Sequence, residues 1–444
     1  MGRTIHEDAR AVPVVEETDV LVCGGGPAGV AAALAAARAG ARVALVELRG
    51  SLGGIWTTGL LSYVLDPDNK GGVLGELVSR LEAAGGKRST SDHGEESPER
   101  DLPWVRGSFL YDTEIMKLTL ERMCLDAGVR IRLHTRVVAA PTAGDCVDAV
   151  ITESVSGREA WVAGVLVDAT GNGDLAACAG CGFDVGHPAT GVVQPMTLMA
   201  LVSGVRFDEI GPFVSLHRRG NRPAKAALYD QICRGGVIPS YSSPTLFFVR
   251  DDLFAFMANH AYDRSGVDAD EVSAATLEAR AELFDICGAL RASGPEWRDL
   301  RIVQTAEQIG VREARRIHGR YTITKEDLIA GQSHQDAVCR VTFPVDIHVS
   351  GPGGHGYDDG GVKSRPYDVP LRALIARDRA NLLMAGRCIS GDYWAHASYR
   401  VTGDAVPMGE AAGALAACAA RTGRPPHTVA WAEVSRLLGD ARPL

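Results

Sequence analysis

The sequence has no excess of positive charge, no long uninterrupted apolar run and no ordered cysteine framework, and each absence removes a class of function. With 46 Lys and Arg against 55 Asp and Glu, the formal net charge is −9. No basic stripe is left to track a phosphate backbone, so nucleic acid is not an expected partner. The longest Ala-rich stretch, residues 26–40, is interrupted by Arg38 and is too short to span a bilayer, so no membrane span is expected. Residues 1–17 lack a basic segment followed by an apolar one, the pattern of a secretory leader, and the expected location is the cytoplasm. The ten cysteines are scattered, many in apolar surroundings such as Cys23, Cys287 and Cys418, unlike a secreted disulfide scaffold. Cys178 and Cys181 form a lone C-x-x-C that reads as buried small-residue packing before it reads as a redox dithiol. No second pair completes a zinc site, no metal is expected, and no C-x-x-C-x-x-C run is present to hold an iron–sulfur cluster.

What is present is a chain of 444 residues, 46% hydrophobic, long enough for two or three domain units and a sizeable core. Its first ordered element is a strand at residues 19–22, a glycine turn, an Ala-rich helix at 30–38 closed by Gly40, and a second strand at 42–47. The turn reads Gly24-x-Gly26-x-x-Gly29. The first glycine makes the tight turn, the second admits a pyrophosphate, and the third lets helix and strand pack closely. The helix N-terminus then points its N–H groups and dipole at the phosphates. Glu47 ends the second strand, where an acid accepts hydrogen bonds from ribose hydroxyls. That favours FAD or NAD over NADP.

Three later segments bear on the choice. Leu52-Gly53-Gly54-Ile55-Trp56-Thr57-Thr58-Gly59 resembles an L-G-G-x-x-T-x-G loop, Asp168-Ala169-Thr170-Gly171 an A-T-G strand end, and residues 381–390, with Gly386-Arg387, a closing N-L-L-x-A-G-R-x-I-S strand. With Tyr111-Asp112-Thr113-Glu114, the Gly310 to Ile317 segment and the stretch from Tyr367 to Pro370, nearly the whole chain resembles the FAD-dependent oxidoreductase family of the glutathione-reductase-like flavoprotein superfamily, the two-dinucleotide-binding-domain flavoproteins. The resemblance implies an α/β fold: a glutathione-reductase-like FAD-binding Rossmann domain with an inserted α+β substrate domain. It implies FAD as the cofactor, held by Gly24, Gly26, Pro27, Ala28, Gly29, Glu47, Leu48, Gly53, Gly54, Thr58, Val137, Ala169, Thr170, Gly171, Gly386, Arg387 and Gly409. Val137 matches a position that meets adenine through its backbone, and a helix at 409–420 would aim its N-terminal dipole at the flavin's pyrimidine edge.

The flavin domain is then discontinuous, residues 16–62, 109–185 and 378–421, with residues 186–369 forming the inserted substrate domain. Residues 87–100 are polar and without apolar period, and read as a mobile surface loop. In the inserted part, a helix from residue 273 to about 290 is expected to pack on a sheet through Leu277, Ala281, Phe284 and Gly288.

With FAD carrying the electron chemistry, the protein need only place a C–H bond, move one proton and orient the substrate. The segment between the last flavin strand and helix offers Asp392, Tyr393, His396, Ser398, Tyr399 and Arg400; His396, Tyr393, Tyr399 and Arg400 are the candidate catalytic residues. Arg400 is either a substrate anchor or the partner of a buried acid such as Asp404. A second cluster, Asp346, His348, His355 and Arg365 in a glycine-rich stretch, reads as loop polarity. Arg312, Arg315 and Arg316 read first as ion-pair partners of Glu307 and Glu313, with anion recognition as the alternative.

The expected activity is a dehydrogenase or oxidase passing a hydride from a small polar metabolite to noncovalent FAD, with oxygen, a quinone or a protein as electron acceptor. The absence of His and Cys from residues 53–59 argues against a covalent flavin. Alternatives are a flavin monooxygenase, a redox-neutral FAD-dependent dehydratase or isomerase, and an electron-relay subunit.

Overall fold

The computed structural model describes residues 3–89, 102–215, 221–348 and 357–438 of the protein. Apolar runs at residues 20–23 and 43–46 make strands β1 (Val14–Cys23) and β2 (Val43–Val46), buried on both faces where they run side by side. Between them helix α1 (Pro27–Arg38) opens with proline in its first turn, where the missing N–H has no partner to lose. Helix α2 (Thr113–Asp126) is capped by Asp112, whose carboxylate accepts from Glu114 N at 2.9 Å, and it leads into β3 (Arg130–Arg132). Later come β4 (Gly157–Asp168), β5 (Leu382–Met384), the short helix α3 (Tyr393–Tyr399) and the long helix α4 (Thr402–Thr422).

The five strands pair in parallel in the order β3-β2-β1-β4-β5, and the antiparallel strands Val150–Ser154 and Arg136–Ala139 extend the early half of β4. The sheet is Rossmann-like and the fold mixed α/β. Register puts Arg132, Val46, Cys23, Asp168 and Met384 in one row. The turns that follow them therefore open side by side at the carboxyl edge of the sheet, where strand order reverses around β1.

Two bare patches of backbone hold α4 against α1. A Cβ on Gly409 would lie 2.0 Å from the Ala28 carbonyl oxygen, and one on Gly413 2.0 Å from that of Ala32. The i, i+4 glycines of one helix thus face the i, i+4 alanines of the other. Gly413→Val must push the two backbones apart, and is expected to cost about 3 kcal/mol or more, read as a fall in the denaturation midpoint. A midpoint equal to wild type would mean the helices do not meet this closely. The helix begins at Thr402, well before Gly409, because Asp404 and Pro407 are accommodated in its early turns. Gly409 is thus a packing residue within the helix, not its N-terminus.

Residues 200–305 contribute a four-stranded antiparallel sheet, in the order Thr245–Arg250, Leu253–Met257, Ala200–Ser203, Arg301–Thr305. Helix Ala269–Ser293 buries Ala275, Ala279, Leu283, Ile286 and Leu290. Leu277 and Phe284, expected on that face, are 66% and 56% exposed. The sequence carries two apolar stripes, and the one with three- and four-residue spacing from Ala275 to Leu290 is the one that packs. Of residues 87–100, Lys87–Ser89 pairs with Phe109–Tyr111 as a short strand, and the remainder lies outside the described residues. Among the described residues no helix is long and apolar enough to cross a membrane.

Candidate active site

The glycine turn after β1 is shaped by contacts on three sides. Gly24 has φ +103°, and a Cβ there would lie 2.3 Å from the Ala169 carbonyl oxygen at the end of β4. A Cβ on Gly29 would lie 1.8 Å from the Gly24 carbonyl oxygen. Gly26 differs: its Cβ direction meets no atom within 4 Å. This bare face lies at the start of α1, beside Pro27 and Ala28.

Residues 47–58 wrap the turn. Glu47 is buried and accepts from Gly25 N at 2.5 Å and Arg49 N at 2.8 Å. Burial raises its pKa, and each carboxylate oxygen keeps a lone pair for another donor. Leu48, next in the chain, is exposed. Gly53 donates to the Gly25 carbonyl at 2.7 Å, and a Cβ on Gly54 would lie 3.1 Å from Gly26 Cα. Thr58 Oγ1 closes the loop onto the Gly54 carbonyl at 2.9 Å. In the same loop Ser51 Oγ and Arg49 Nε are buried with no hydrogen-bond partner. Val137 is half-buried on the edge strand Arg136–Ala139 of the sheet.

Behind Ala169, Thr170 and Gly171 stands Asp168, fully buried, accepting from Thr170 N at 3.0 Å, Thr170 Oγ1 at 2.7 Å and Ala176 N at 2.8 Å. Burial pushes its pKa up to about 6. Gly386, φ +82°, turns the chain out of β5 beside Ala28, and Arg387 donates to the Gly171 carbonyl at 3.0 Å and Asn172 Oδ1 at 2.6 Å. The four predicted cofactor segments thus converge on one edge. The thiol of Cys388 is buried against the carbonyls of Asp168 and Ala385, at 3.4 and 3.8 Å. Cys178 and Cys181 are free, the first exposed and the second buried, and burial pushes Cys181 up to about 11.

A second, ionic centre lies where the end of α3 meets Gln194 and Asp346. Arg400 Nη2 donates to the Asp346 carbonyl at 2.8 Å, to Asp346 Oδ2 at 3.3 Å and to Gln194 Oε1 at 3.3 Å. Asp346 Oδ2 lies 3.3 Å from His348 Nε2, His348 Nδ1 lies 3.0 Å from His260 Nε2, and His260 Nδ1 lies 3.0 Å from Thr197 Oγ1. Arg312 Nη1 donates to that same Thr197 Oγ1 at 2.7 Å and to the Pro195 carbonyl at 2.8 Å. Tyr241 stacks on His260, centroids 3.9 Å apart. The result is a continuous hydrogen-bonded line, Arg312–Thr197–His260–His348–Asp346–Arg400.

Burial and the charge of Arg312 press His348 down to about 4, and burial, Arg312 and His348 hold His260 well below the usual imidazole value. Burial would raise Asp346, but the facing His348 and the two guanidiniums outweigh it and hold the carboxyl below its usual range. With both rings neutral, one tautomer arrangement polarises the line toward the carboxylate: the Thr197 hydroxyl, which also donates to the Asn259 carbonyl at 3.1 Å, turns to His260 Nδ1, His260 Nε2–H to His348 Nδ1, and His348 Nε2–H to Asp346. One further proton reverses His260, whose Nδ1–H then faces the Asn259 carbonyl 2.5 Å away, and leaves an imidazolium at His348 against Asp346. The line can therefore take up one proton.

Of the predicted catalytic residues, Arg400 belongs to this centre. Its carboxylate partner is Asp346, because Asp404 is taken by the buried Lys70, 3.2 Å away, which also holds Asp66 at 3.0 Å. His396, one turn before Arg400, is fully buried with both ring nitrogens unpartnered, and burial with Arg316 and Arg400 nearby holds it neutral. Tyr393 packs edge-on against His187, centroids 5.1 Å apart, and burial pushes it up to about 12. Tyr399 is a packing residue: buried, with its hydroxyl donated to the Ile389 carbonyl at 3.0 Å. Asp346 and His348, read from sequence as loop polarity, lie in the middle of the hydrogen-bonded line; Arg365 is exposed and His355 lies outside the described residues. Arg316 pairs with Glu313 as expected and Arg315 with Asp174, whereas Glu307 faces Arg49, and Arg312 has no carboxylate contact among the described residues. Gln194, Thr197, His260 and Tyr241 carry no local motif and were not legible. Among the described residues no three His, Cys, Asp or Glu are placed to hold a metal ion.

Residues 19–438 match the family model described as FAD dependent oxidoreductase. No curated protein matches the sequence. Among solved structures, p-nitrophenol 4-monooxygenase from Pseudomonas putida DLL-E4 is similar at 13% identity over 96% of this chain and 85% of that one, with a TM-score of 0.50. A geranylgeranyl bacteriochlorophyll reductase-like protein from Thermoplasma acidophilum is similar at 14% identity over 95% of this chain and 83% of that one, with a TM-score of 0.48. At these identities the likeness speaks to the fold alone.

Proposed function

Because this chain belongs to the FAD dependent oxidoreductase family and is an FAD-dependent enzyme, we propose that it is a dehydrogenase or oxidase that takes a hydride from a small polar metabolite onto noncovalently held FAD. We read its architecture as the glutathione-reductase-like arrangement, a flavin domain of residues 16–62, 109–185 and 378–421 with residues 186–369 inserted as substrate domain.

The residues fit the cofactor. Gly26 offers a bare face at a helix N-terminus, and Ser51 Oγ and Arg49 Nε stand unpartnered in the loop that wraps it. In this reading Gly24 to Gly29 and Gly53-Gly54 hold the pyrophosphate, Glu47 the adenosine ribose, Val137 the adenine, and Ala169 to Gly171 with Gly386-Arg387 the remainder of the chain. Bound FAD supplies a two-electron acceptor. A buried Cys388 thiol aimed at sheet carbonyls favours noncovalent attachment.

The observation that carries the reading is the proton line. Oxidising an alcohol or amine by hydride loss also releases a proton, and a line from Thr197 Oγ1 to Asp346 can accept it and hold it as N–H at His348. Arg312 and Arg400, at its two ends, orient the substrate and exclude bulk water. The electron acceptor is oxygen, a quinone or a protein, and the expected location is the cytoplasm.

The test is anaerobic mixing of the yellow protein with a metabolite panel. At least one small polar alcohol or amine is expected to bleach the visible flavin band, and acid denaturation to release the flavin into the supernatant. Oxygen uptake strictly dependent on NADPH, turnover with no electron acceptor, or bleaching only by a co-purifying protein would each replace this reading with another.

A further inference from the structure

Five buried nitrogens on four residues have no hydrogen-bond partner: Gln194 Nε2, Arg316 Nε, Arg400 Nε and both ring nitrogens of His396. They belong to one cluster. Gln194 Oε1 accepts from Arg400, Gln194 N donates to Glu313 at 3.1 Å, Glu313 pairs with Arg316, and Arg400 N donates to the His396 carbonyl at 3.3 Å. Native interiors leave few such groups unpaired, and a cluster of them marks a place where another polar group belongs.

The charge there has one sign. Glu313 is matched by Arg316, and the carboxylate of Asp346 stands against two guanidiniums, Arg400 in contact and Arg312 beyond the histidines. Both histidines of the line, and His396, are held neutral by burial. The centre therefore keeps a net positive charge, and burial with the charge of Arg400 lowers the proton affinity of Arg312. Arg312 and Arg400 are also incompletely covered, unlike the histidines between them. Arg312, with no carboxylate contact among the described residues, and Arg400, which shares the single carboxylate of Asp346, leave positive charge over that attracts an anion, and the guanidinium fork suits a carboxylate.

We propose that the substrate is a small organic acid, whose carboxylate is held between Arg312 and Arg400 while the carbon to be oxidised faces the proton line. This rests on the dehydrogenase reading of the site. The hydride leaves that carbon for FAD, the hydroxyl or amine proton enters the line, and the product is the corresponding keto or imino acid.

Lactate and malate, each against its neutral amide, are the probes, titrated into the oxidised, flavin-loaded protein by calorimetry and by perturbation of the flavin spectrum. At least one carboxylate is expected to bind and its amide to bind roughly tenfold or more weaker, as loss of a charged contact worth about 1.4 kcal/mol would give. Arg312→Met is expected to remove the difference and Arg312→Lys to restore part of it, with flavin content unchanged. Equal binding of acid and amide to the wild-type protein, or no binding of either acid, overturns the proposal without reference to any variant. If carboxylates bind but none bleaches the flavin, the anion site stands and the dehydrogenase reading falls. If only neutral metabolites bleach it, the reverse holds.

Discussion

Gly26→Ala is expected to give a folded protein that has lost its flavin. Gly26 has φ −70° and ψ −175°, extended backbone open to alanine, and the new Cβ would meet no protein atom within 4 Å. Nothing in the polypeptide resists the change, so the stability of the flavin-free form should stay within about 0.5 kcal/mol of wild type. The methyl group does occupy the space over the first turn of α1, where a pyrophosphate must approach to meet the N–H groups. Losing one or two charge-assisted hydrogen bonds amounts to about 2.7 kcal/mol, or a roughly 100-fold weaker affinity. The measurements are the flavin-to-protein absorbance ratio and the denaturation midpoint of the flavin-free form. Gly29→Ala is the contrast, because its Cβ strikes the Gly24 carbonyl and should cost both fold and flavin. A yellow, stoichiometrically loaded Gly26→Ala protein would place the phosphates elsewhere.

That contrast also explains which parts of the molecule were legible in sequence. The turn from Gly24 to Gly29 is local: strand, glycines, helix and acid lie within about 30 residues, the span its fingerprint needs. Glu47, Gly53-Gly54 and the end of β4 could be added because each follows a strand whose apolar run is itself readable. The helix Ala269–Ser293 is legible but its buried face is not, since Leu277 and Phe284 are as apolar as the residues that pack, and only the fold decides between two stripes. The ionic centre was the least legible. Thr197 and His260 meet across 63 residues of chain, His260 and His348 across 88, and Asp346 and Arg400 across 54, and no periodicity links them. His348 and Asp346 precede a glycine-rich stretch that gave them the look of loop polarity. Burial, which only the fold supplies, brings them into one line with His260 and Arg400.

The largest effect on turnover is expected from Asp346→Asn. The asparagine can still accept from His348 Nε2, so the line keeps its geometry, but the negative charge that would stabilise an imidazolium at His348 is gone. Arg312 and Arg400 then act on that ring unopposed and make it a poorer base. The rate of flavin reduction should fall by a factor on the order of 10² to 10⁴, the usual contribution of a positioned base. Substrate binding should hold or tighten, because an anion would meet both guanidiniums without a competing carboxylate. The signature is therefore a fall in kcat with KM unchanged or lower, and a mere loss of structure would not give it.

The pH profile follows from the same charges. His348 in the free protein has its proton affinity depressed from the ordinary 6.5 to about 4, so the line is ready to accept a proton above about pH 4 and loses that capacity below it. Between those two values the unfolded chain binds the proton that the folded chain refuses. Stability should accordingly decline as pH falls through that window, and further as Asp346, whose own carboxyl is depressed, is finally protonated. A bound carboxylate at Arg312 and Arg400 cancels part of the repulsion on His348 and raises its basicity. The acid limb of kcat, which reports the complex, should therefore lie at higher pH than that of kcat/KM, which reports the free enzyme. Coincident limbs, or a wild-type reduction rate in Asp346→Asn, would remove the line from the chemistry and leave it a buried structural network.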